Sequence, residues 1–290
     1  MPRPLLAALS LFLLLAASLP ALAQPTCSTC GAPIVGRYYR MEDGRTLCPA
    51  DFDKQLPRCT ACGAKITSQY VVLDGARPVC RSCHDRFPGC FVCALPVVRG
   101  GKRLSDGRQL CQAHARQSIL DPARAAAVLK EAEEAVVATF GQSMRLGHPV
   151  DEVKLVDAAS LAATMGRPGA SDVLGMFRAR IRGTERRYTV FFVSGLPRER
   201  LLTVASHEYA HAWHSEHHPR YEQCSDRFRE GFAEWVAFRV NKRLGRKAEI
   251  EHLLAQEHDT YIEGLRSFLD LERREGIMGA LQLATTKVRL

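Results

Sequence analysis

Past its first two dozen residues, this 290-residue sequence has no long apolar run. A helix that crosses a bilayer needs about 20 consecutive apolar residues. Nothing after position 23 supplies them, so no membrane span is expected in the mature chain. The sequence also lacks any block of one charge. Its 40 Lys and Arg against 31 Asp and Glu leave a net charge of +9, but the excess is spread along the chain. That pattern reads as a solvated basic surface that favours anionic neighbours. A nucleic-acid-binding zinc ribbon would gather basic and aromatic side chains in its cysteine-rich part. Aromatics make up only 7% of the chain and are sparse there, so no nucleic-acid partner is expected. Cysteine is nearly missing from the C-terminal half. Of 11 cysteines only Cys224 lies beyond position 111, and it reads as a buried or unpaired thiol with no part in the chemistry.

The opening MPRPLLAALSLFLLLAASLPALAQP has a basic residue, Arg3, then a nearly unbroken apolar stretch from Leu5 to Leu19, then Ala21-Leu22-Ala23. This is the layout of a secretory signal with a small-x-small cleavage site. Fifteen apolar residues are too few for a comfortable membrane anchor. The expectation is a signal peptide over 1–23, cleavage after Ala23, and an exported protein, periplasmic or secreted.

The other ten cysteines form a threefold repeat. Its units are Cys27, Cys30, Cys48 and Asp51; Cys59, Cys62, Cys80 and Cys83; and Cys90, Cys93, Cys111 and His114. Each has a C-x-x-C pair, 17 intervening residues and a second pair, and the period is 32 and then 31 residues. An Asp-Gly dipeptide precedes each second pair (Asp43-Gly44, Asp74-Gly75, Asp106-Gly107) and favours a tight hairpin turn. Two residues between thiolates let both sulfurs face one tetrahedral ion. Asp51 and His114, in the fourth place, are zinc ligands that a disulfide framework cannot use. The competing reading is five disulfides, since an exported chain meets an oxidising compartment. Zinc is the preferred assignment, one structural ion per module. Modules this small cannot bury a sufficient core, so the metal would supply most of their folding energy. Three small β-hairpin modules are expected at about 27–51, 59–83 and 90–114, within 24–119.

From Asp121 the texture changes. DPARAAAVLKEAEEAVVATF opens with a capping Asp121 and Pro122 at the first helical position. VKLVDA, MFRARI and RYTVFFV read as strands, the last as an edge strand against which an extended peptide could pair. SLAATM reads as a helical turn, SGLPRER as a loop, and LLTVASHEYAHAWHSEHH as a helix. From Asp226 the chain reads as helical, with breaks near Gly245 and Gly264. The expected class is α+β over 120–290.

Within SHEYAHAWHSEHH, His207, Glu208 and His211 spell H-E-x-x-H. On a helix, positions i and i+4 share a face, so both imidazoles reach one zinc. Glu208 is placed to take a proton from a water that zinc acidifies. Leu201, Leu202, Val204 and Ala205 predict that this helix is buried. Two residues compete for the third ligand. His217 lies six residues after His211, where H-E-x-x-H-x-x-G-x-x-H enzymes put theirs, but the turn glycine those enzymes need is His214 here. Glu230, in FREGFAEW, is separated from His211 by 18 residues, as in glutamate-ligand zinc peptidases of the aminopeptidase type, and is preferred. Glu234, one turn on, is a candidate to orient a ligand histidine. His214, His217 and His218 then become solvent-facing, with an adventitious metal site as their other reading. For the oxyanion of peptide hydrolysis Tyr261 is the candidate, with Tyr209 and Tyr221 as alternatives. Trp213 and Trp235 read as packing residues.

The stretch from SGLPRERLLTVASHEYAHAW to REGFAEW resembles the peptidase domain of the LIM-domain zinc peptidases that restrain organ growth in plants. DTYIEGLRSFLDLERREGIMGAL resembles that family's C-terminal end, and RYYRMEDGRTLCPAD its LIM-like zinc module. The resemblance implies a zincin-like, gluzincin fold with one catalytic zinc on His207, His211 and Glu230, and Glu208 as base. The plant proteins carry ubiquitin-binding segments and act inside cells; this chain has no such segment, and their substrates do not transfer. The spacers between knuckle pairs are also longer than in a true LIM domain, which suggests a string of half-modules. The expected function is an exported zinc peptidase acting on protein or peptide substrates, with modules that bind a partner, position substrate or cover the site. The alternative is a catalytically inactive zinc-module scaffold for protein–protein interaction.

Overall fold

Apolar side chains that alternate along a strand point to opposite faces, so a strand apolar at every position has to be covered on both. In RYTVFFV, Val190 and Phe192 join the main helical core, while Phe191 and Val193 pack with Leu161 and Val173 on the other face. The structure, a computed structural model, describes residues 24–166, 173–183, 185–255 and 259–289. The signal-peptide reading lies outside the described residues. The chain divides into two compact units, Met1–Cys59 with Ala64–Gln69, and Thr60–Gly63 with Tyr70–Leu290.

The cysteine repeats share one plan. A two-stranded antiparallel hairpin leads into a short helix: β1 (Tyr39–Arg40), β2 (Thr46–Leu47) and α1 (Pro49–Gln55); β3 (Tyr70–Leu73), β4 (Arg77–Cys80) and α2 (Arg81–Arg86); β5 (Lys102–Arg103), β6 (Gln109–Leu110) and α3 (Gln112–Gln117). The Asp-Gly dipeptides sit in the hairpin turns, where Gly44, Gly75 and Gly107 all have positive φ. The third donor of each unit, Cys48, Cys80 or Cys111, is the N-cap of its helix. The fourth donor, three residues later, therefore lies in the first helical turn.

The rest of the second unit is a three-stranded sheet under a helical layer. β7 (Glu152–Val156) runs parallel to β9 (Glu185–Val193), β8 (Gly175–Arg182) runs antiparallel to it, and the order is β7-β9-β8. β9 is therefore central, and β8 is an edge. The expectation of RYTVFFV as an edge strand is corrected: its unbroken apolar run marks a strand buried on both faces. Asp121 caps α4 (Pro122–Phe140), accepting from the N–H groups of Ala123 and Arg124 at 2.7 and 3.2 Å. α5 (Ala158–Thr164) covers the far face of β9, and α6 (Arg198–His217) packs against α4, β8 and α7 (Asp226–Arg243). α8 (Lys247–Leu254) and α9 (Asp259–Thr286) complete the layer.

Gly245 ends α7 with φ of 69°, as the sequence suggests. Gly264 does not interrupt α9; the break falls at Gly276, with φ of 73°. Gly264 instead lets α9 lie directly on α7: a Cβ built on it would stand 2.6 Å from the Gly231 Cα.

The third cysteine module is fastened to the loop before α6. Arg108 donates to the Ser194 carbonyl at 2.9 Å, and Ile119 and Gly195–Leu196 exchange two backbone bonds of 2.9 Å. Gly195, with φ of 89°, lies where a Cβ would press on Leu104 of that module. Among the described residues no helix is long and apolar enough to cross a membrane.

Candidate metal centres and the cleft beside one of them

In all three repeats the four sequence-predicted donors come together, each set within 4.8 Å of one another. Ligands of a tetrahedral zinc at about 2.0–2.3 Å stand about 3.3–3.8 Å apart. Cys27 and Cys48 Sγ lie 3.2 and 3.4 Å from Asp51 Oδ2, and Cys90 and Cys111 Sγ lie 3.5 and 3.3 Å from His114 Nδ1. Cys62 and Cys80 Sγ are 4.0 Å apart, about twice the length of a disulfide bond. None of the eleven cysteines, all of them among the described residues, is joined in a disulfide. The five-disulfide reading finds no support in this arrangement, and the donor sets fit zinc.

The donors crowd one another electrostatically. The Ala32 backbone N–H favours the Cys30 thiolate, but Asp51 and Cys27 outweigh it and push the thiol up to about 11. Burial, reinforced by the charges of Cys90 and Cys111, pushes Cys93 up to about 11 against the pull of Arg77. Lys54, and then the three thiols, hold the Asp51 carboxyl far below its usual range. A cation at the centre of such a set would relieve the repulsion between thiolates.

The second type of site lies where α6 crosses α7. Residues i and i+4 of α6 place His207 and His211 on one face, and Glu230 of α7 meets them. His207 Nε2 is 3.0 Å from His211 Nε2 and 3.1 Å from Glu230 Oε2, and His211 Nε2 is 3.3 Å from the same oxygen. These three edges match a triangle of ligands about a zinc, whose nitrogen–nitrogen edge at the tetrahedral angle is about 3.3 Å. The remaining ring nitrogens are also engaged. His207 Nδ1 lies 3.4 Å from Glu234 Oε1, and His211 Nδ1 lies 3.4 Å from the Tyr221 hydroxyl. Such partners fix ring orientation and tautomer.

Glu208 is 5% exposed. Burial pushes its carboxyl above the ordinary range, opposed by His207 and His211 and by the Phe177 backbone. Gly175, at the start of the edge strand β8, allows this close packing, because a Cβ there would fall 2.6 Å from Glu208 Oε1. Burial alone would drive Glu230 up and His207 down. Attraction wins: His211 and then His207 hold the Glu230 carboxyl far below its usual value, and Glu230 and Glu234 hold the His207 imidazole well above its own. The pocket is thus arranged to hold positive charge.

Tyr261 lies beside His207, ring centroids 6.2 Å apart, and lines the same cleft. Tyr209 lies elsewhere: its hydroxyl donates to the Met144 carbonyl and accepts from Leu146 N–H, at 3.0 and 3.1 Å, in a structural role. The role of Tyr221 as a partner of His211 has no local sequence signal, since it follows the helix end by a turn. Trp213 and Trp235 are buried in the core, with indole N–H groups on the Ser143 carbonyl and Glu272.

The expectation of solvent-facing histidines at the end of α6 is corrected for two of three. His214 and His218 are 0% and 3% exposed; His214 packs among Tyr221, Phe228 and Phe232, and His218 lies edge-on to His214. His217 stacks on Trp213 and bonds its carbonyl, away from the His207–His211 pair. His214, His218 and buried Cys224 also bring donor atoms within 4.8 Å. Both nitrogens of His218 are already used, Nδ1 by Arg220 N–H at 3.0 Å and Nε2 on the Lys287 carbonyl at 2.9 Å. Cys224 Sγ is 3.8 and 3.7 Å from these two nitrogens, nearly equidistant rather than in line with one lone pair. An ion there would have to displace the Arg220 N–H from the Nδ1 lone pair, while Nε2–H stays on the Lys287 carbonyl, so the trio is already satisfied as a packed core cluster.

Fold and sites together define an α+β protein with several candidate zinc-binding sites, three of them in small cysteine modules. Comparison with known proteins finds no matching family model, curated protein or solved structure. What the chain does is therefore carried by the chemistry of its own residues.

Proposed function

We propose that this chain is a zinc-dependent peptidase of the gluzincin type, an exported relative of the LIM-domain zinc peptidases that its sequence resembles, and that it acts on protein or peptide substrates. The supporting observation is the triangle of His207, His211 and Glu230, with edges of 3.0–3.3 Å and a buried carboxylate, Glu208, on the next residue. A zinc ion held by those three residues would polarise the scissile carbonyl and acidify a water. Glu208 takes the proton from the attacking water as the new C–O bond forms. It then delivers a proton to the amide nitrogen as the C–N bond breaks. Its raised affinity for a proton suits both steps. Tyr261 is the donor to the developing oxyanion, and Glu234 and Tyr221 keep the two imidazoles in register. The outer edge of β8, which runs to Glu208, is where an extended substrate backbone would pair.

Glu208→Gln tests this reading. The variant should keep its zinc and its fold and lose cleavage of casein by 10²-fold or more, on the order of general-base contributions. Equal cleavage by variant and wild type would remove Glu208 from the chemistry. A wild type with full zinc that cleaves nothing in a broad peptide library would favour the scaffold reading instead.

A further inference from the structure

The cleft beside Glu208 is a cavity of about 450 Å³, within the size range of ligand pockets. Its reactive side is His207, Glu208, Glu234 and Tyr261, and its apolar walls are Phe91, Val92, Val173, Leu174, Val204 and Leu253. Four elements distant in sequence build those walls: the approach to β8, helix α6, helix α8, and the first knuckle of the third cysteine module.

The floor is polar but holds no unpaired charge. Arg200 Nε donates to Glu249 at 2.8 Å, its Nη1 is 2.7 Å from His252 Nε2, and Thr203 donates to Glu249 at 3.1 Å. Burial, and then Arg200, favour the neutral form of His252. Arg200 and Glu249 are committed to each other, and the lining carboxylates Glu208 and Glu234 sit on the His207 side, so the walls away from them select by apolar contact. A charged group pressed against those walls would lose its hydration without a partner.

Resting on the peptidase reading, we propose that this cavity receives a large apolar side chain (Leu, Met or Phe) next to the scissile bond, and that the third cysteine module supplies one wall of that subsite. Phe91 and Val92 lie between the donors Cys90 and Cys93, and Arg108 stacks on the Phe91 ring at 4.3 Å while donating to Ser194. The module is thus a specificity element of the cleft. Whatever holds Cys90, Cys93, Cys111 and His114 together also sets the width of the pocket.

The test uses the full chain and a series of quenched peptides that differ at one residue on either side of the cleaved bond. At one of those two positions Leu, Met and Phe should exceed Gly, Asp and Lys by roughly tenfold or more in kcat/KM, the scale of an apolar pocket's discrimination. Val92→Trp should shift that position toward Ala and Ser, and Val92→Ala toward larger side chains. Both should keep full zinc and leave the profile at the other position unchanged. A second readout does not need turnover: Glu208→Gln should bind a dansylated Leu peptide roughly tenfold tighter than its Gly counterpart, and adding Val92→Trp should erase the difference. A flat or charge-preferring profile, or one that both Val92 substitutions leave untouched, overturns the subsite. If no peptide is cleaved, the peptidase reading falls, and equal binding of Leu and Gly peptides by Glu208→Gln then overturns the pocket as well.

Discussion

His214 should make the helical C-terminal half acid-labile, and replacing it should remove that weakness. The imidazole is 0% exposed, and burial, opposed by the Ala284 backbone, lowers its pKa to about 3. In the unfolded chain a histidine titrates near 6.5. Between those values the unfolded state binds a proton that the folded state refuses, so stability is complete above about pH 6.5 and falls as pH drops toward 3. At about 1.36 kcal/mol per pH unit of separation, the loss is about 2 kcal/mol at pH 5 and about 3 kcal/mol at pH 4. His214→Phe places a ring of similar shape among Tyr221, Phe228 and Phe232 and has no proton to bind. The assay is urea unfolding at pH 7.5 and pH 5, followed by the fluorescence of Trp213 and Trp235, both in this core. Acid also protonates the candidate metal-binding histidines His114, His207 and His211, but it does so equally in both proteins. The decisive quantity is therefore the difference between them, which should grow by about 2 kcal/mol from pH 7.5 to pH 5. Parallel losses in the two proteins would mean that His214 is hydrated or paired in solution.

Further outcomes follow from the same geometry. Zinc measured by mass spectrometry should come to four ions per chain, one for each cysteine module and one for the His207–His211–Glu230 set; a single zinc with ten oxidised thiols would refute the module assignment. Glu230→Ala should strip the ion from the histidine pair while His217→Ala should not, because His217 is stacked on Trp213; the reverse pattern of zinc loss would identify the wrong third ligand. Gly264→Ala should lower stability by about 1–3 kcal/mol, since its Cβ would fall 2.6 Å from both the Arg227 carbonyl oxygen and the Gly231 Cα. Helix propensity alone favours Ala by about 1 kcal/mol, so a higher melting temperature would show that α7 and α9 do not cross this closely.

What the sequence shows about the sites follows from how local each donor set is. In the cysteine modules, the third donor caps a short helix and the fourth sits in its first turn, so covalent spacing nearly determines the geometry. His207 and His211 are likewise brought together by helical periodicity. Glu230 lies on another helix, yet the eight-residue connection 218–225 allows few ways for α7 to return against α6. The α+β class was legible for a related reason: capped, alanine-rich helices and short alternating strands carry their period in the chain.

The misread elements depend on what the fold lays against them. The apolar run of β9 looks the same whether one of its edges is open to a peptide or both are paired; β7 on one side and β8 on the other decide it. His214 and His218 end a helix in a polar-looking string, and they are buried because Tyr221, Phe228 and the Lys287 carbonyl arrive from later in the chain. Glycine is ambiguous in the same way. At Gly276 it permits a positive φ that breaks a helix, and at Gly264 it permits a neighbouring helix to touch. The composition of α9 does not distinguish the two uses, and only the partner glycine on α7 does. The same logic applies to the cleft: Phe91 and Val92 are ordinary knuckle residues in their own module, and they become cavity walls only because Arg108 and Ile119 fasten that module to the loop leading into α6.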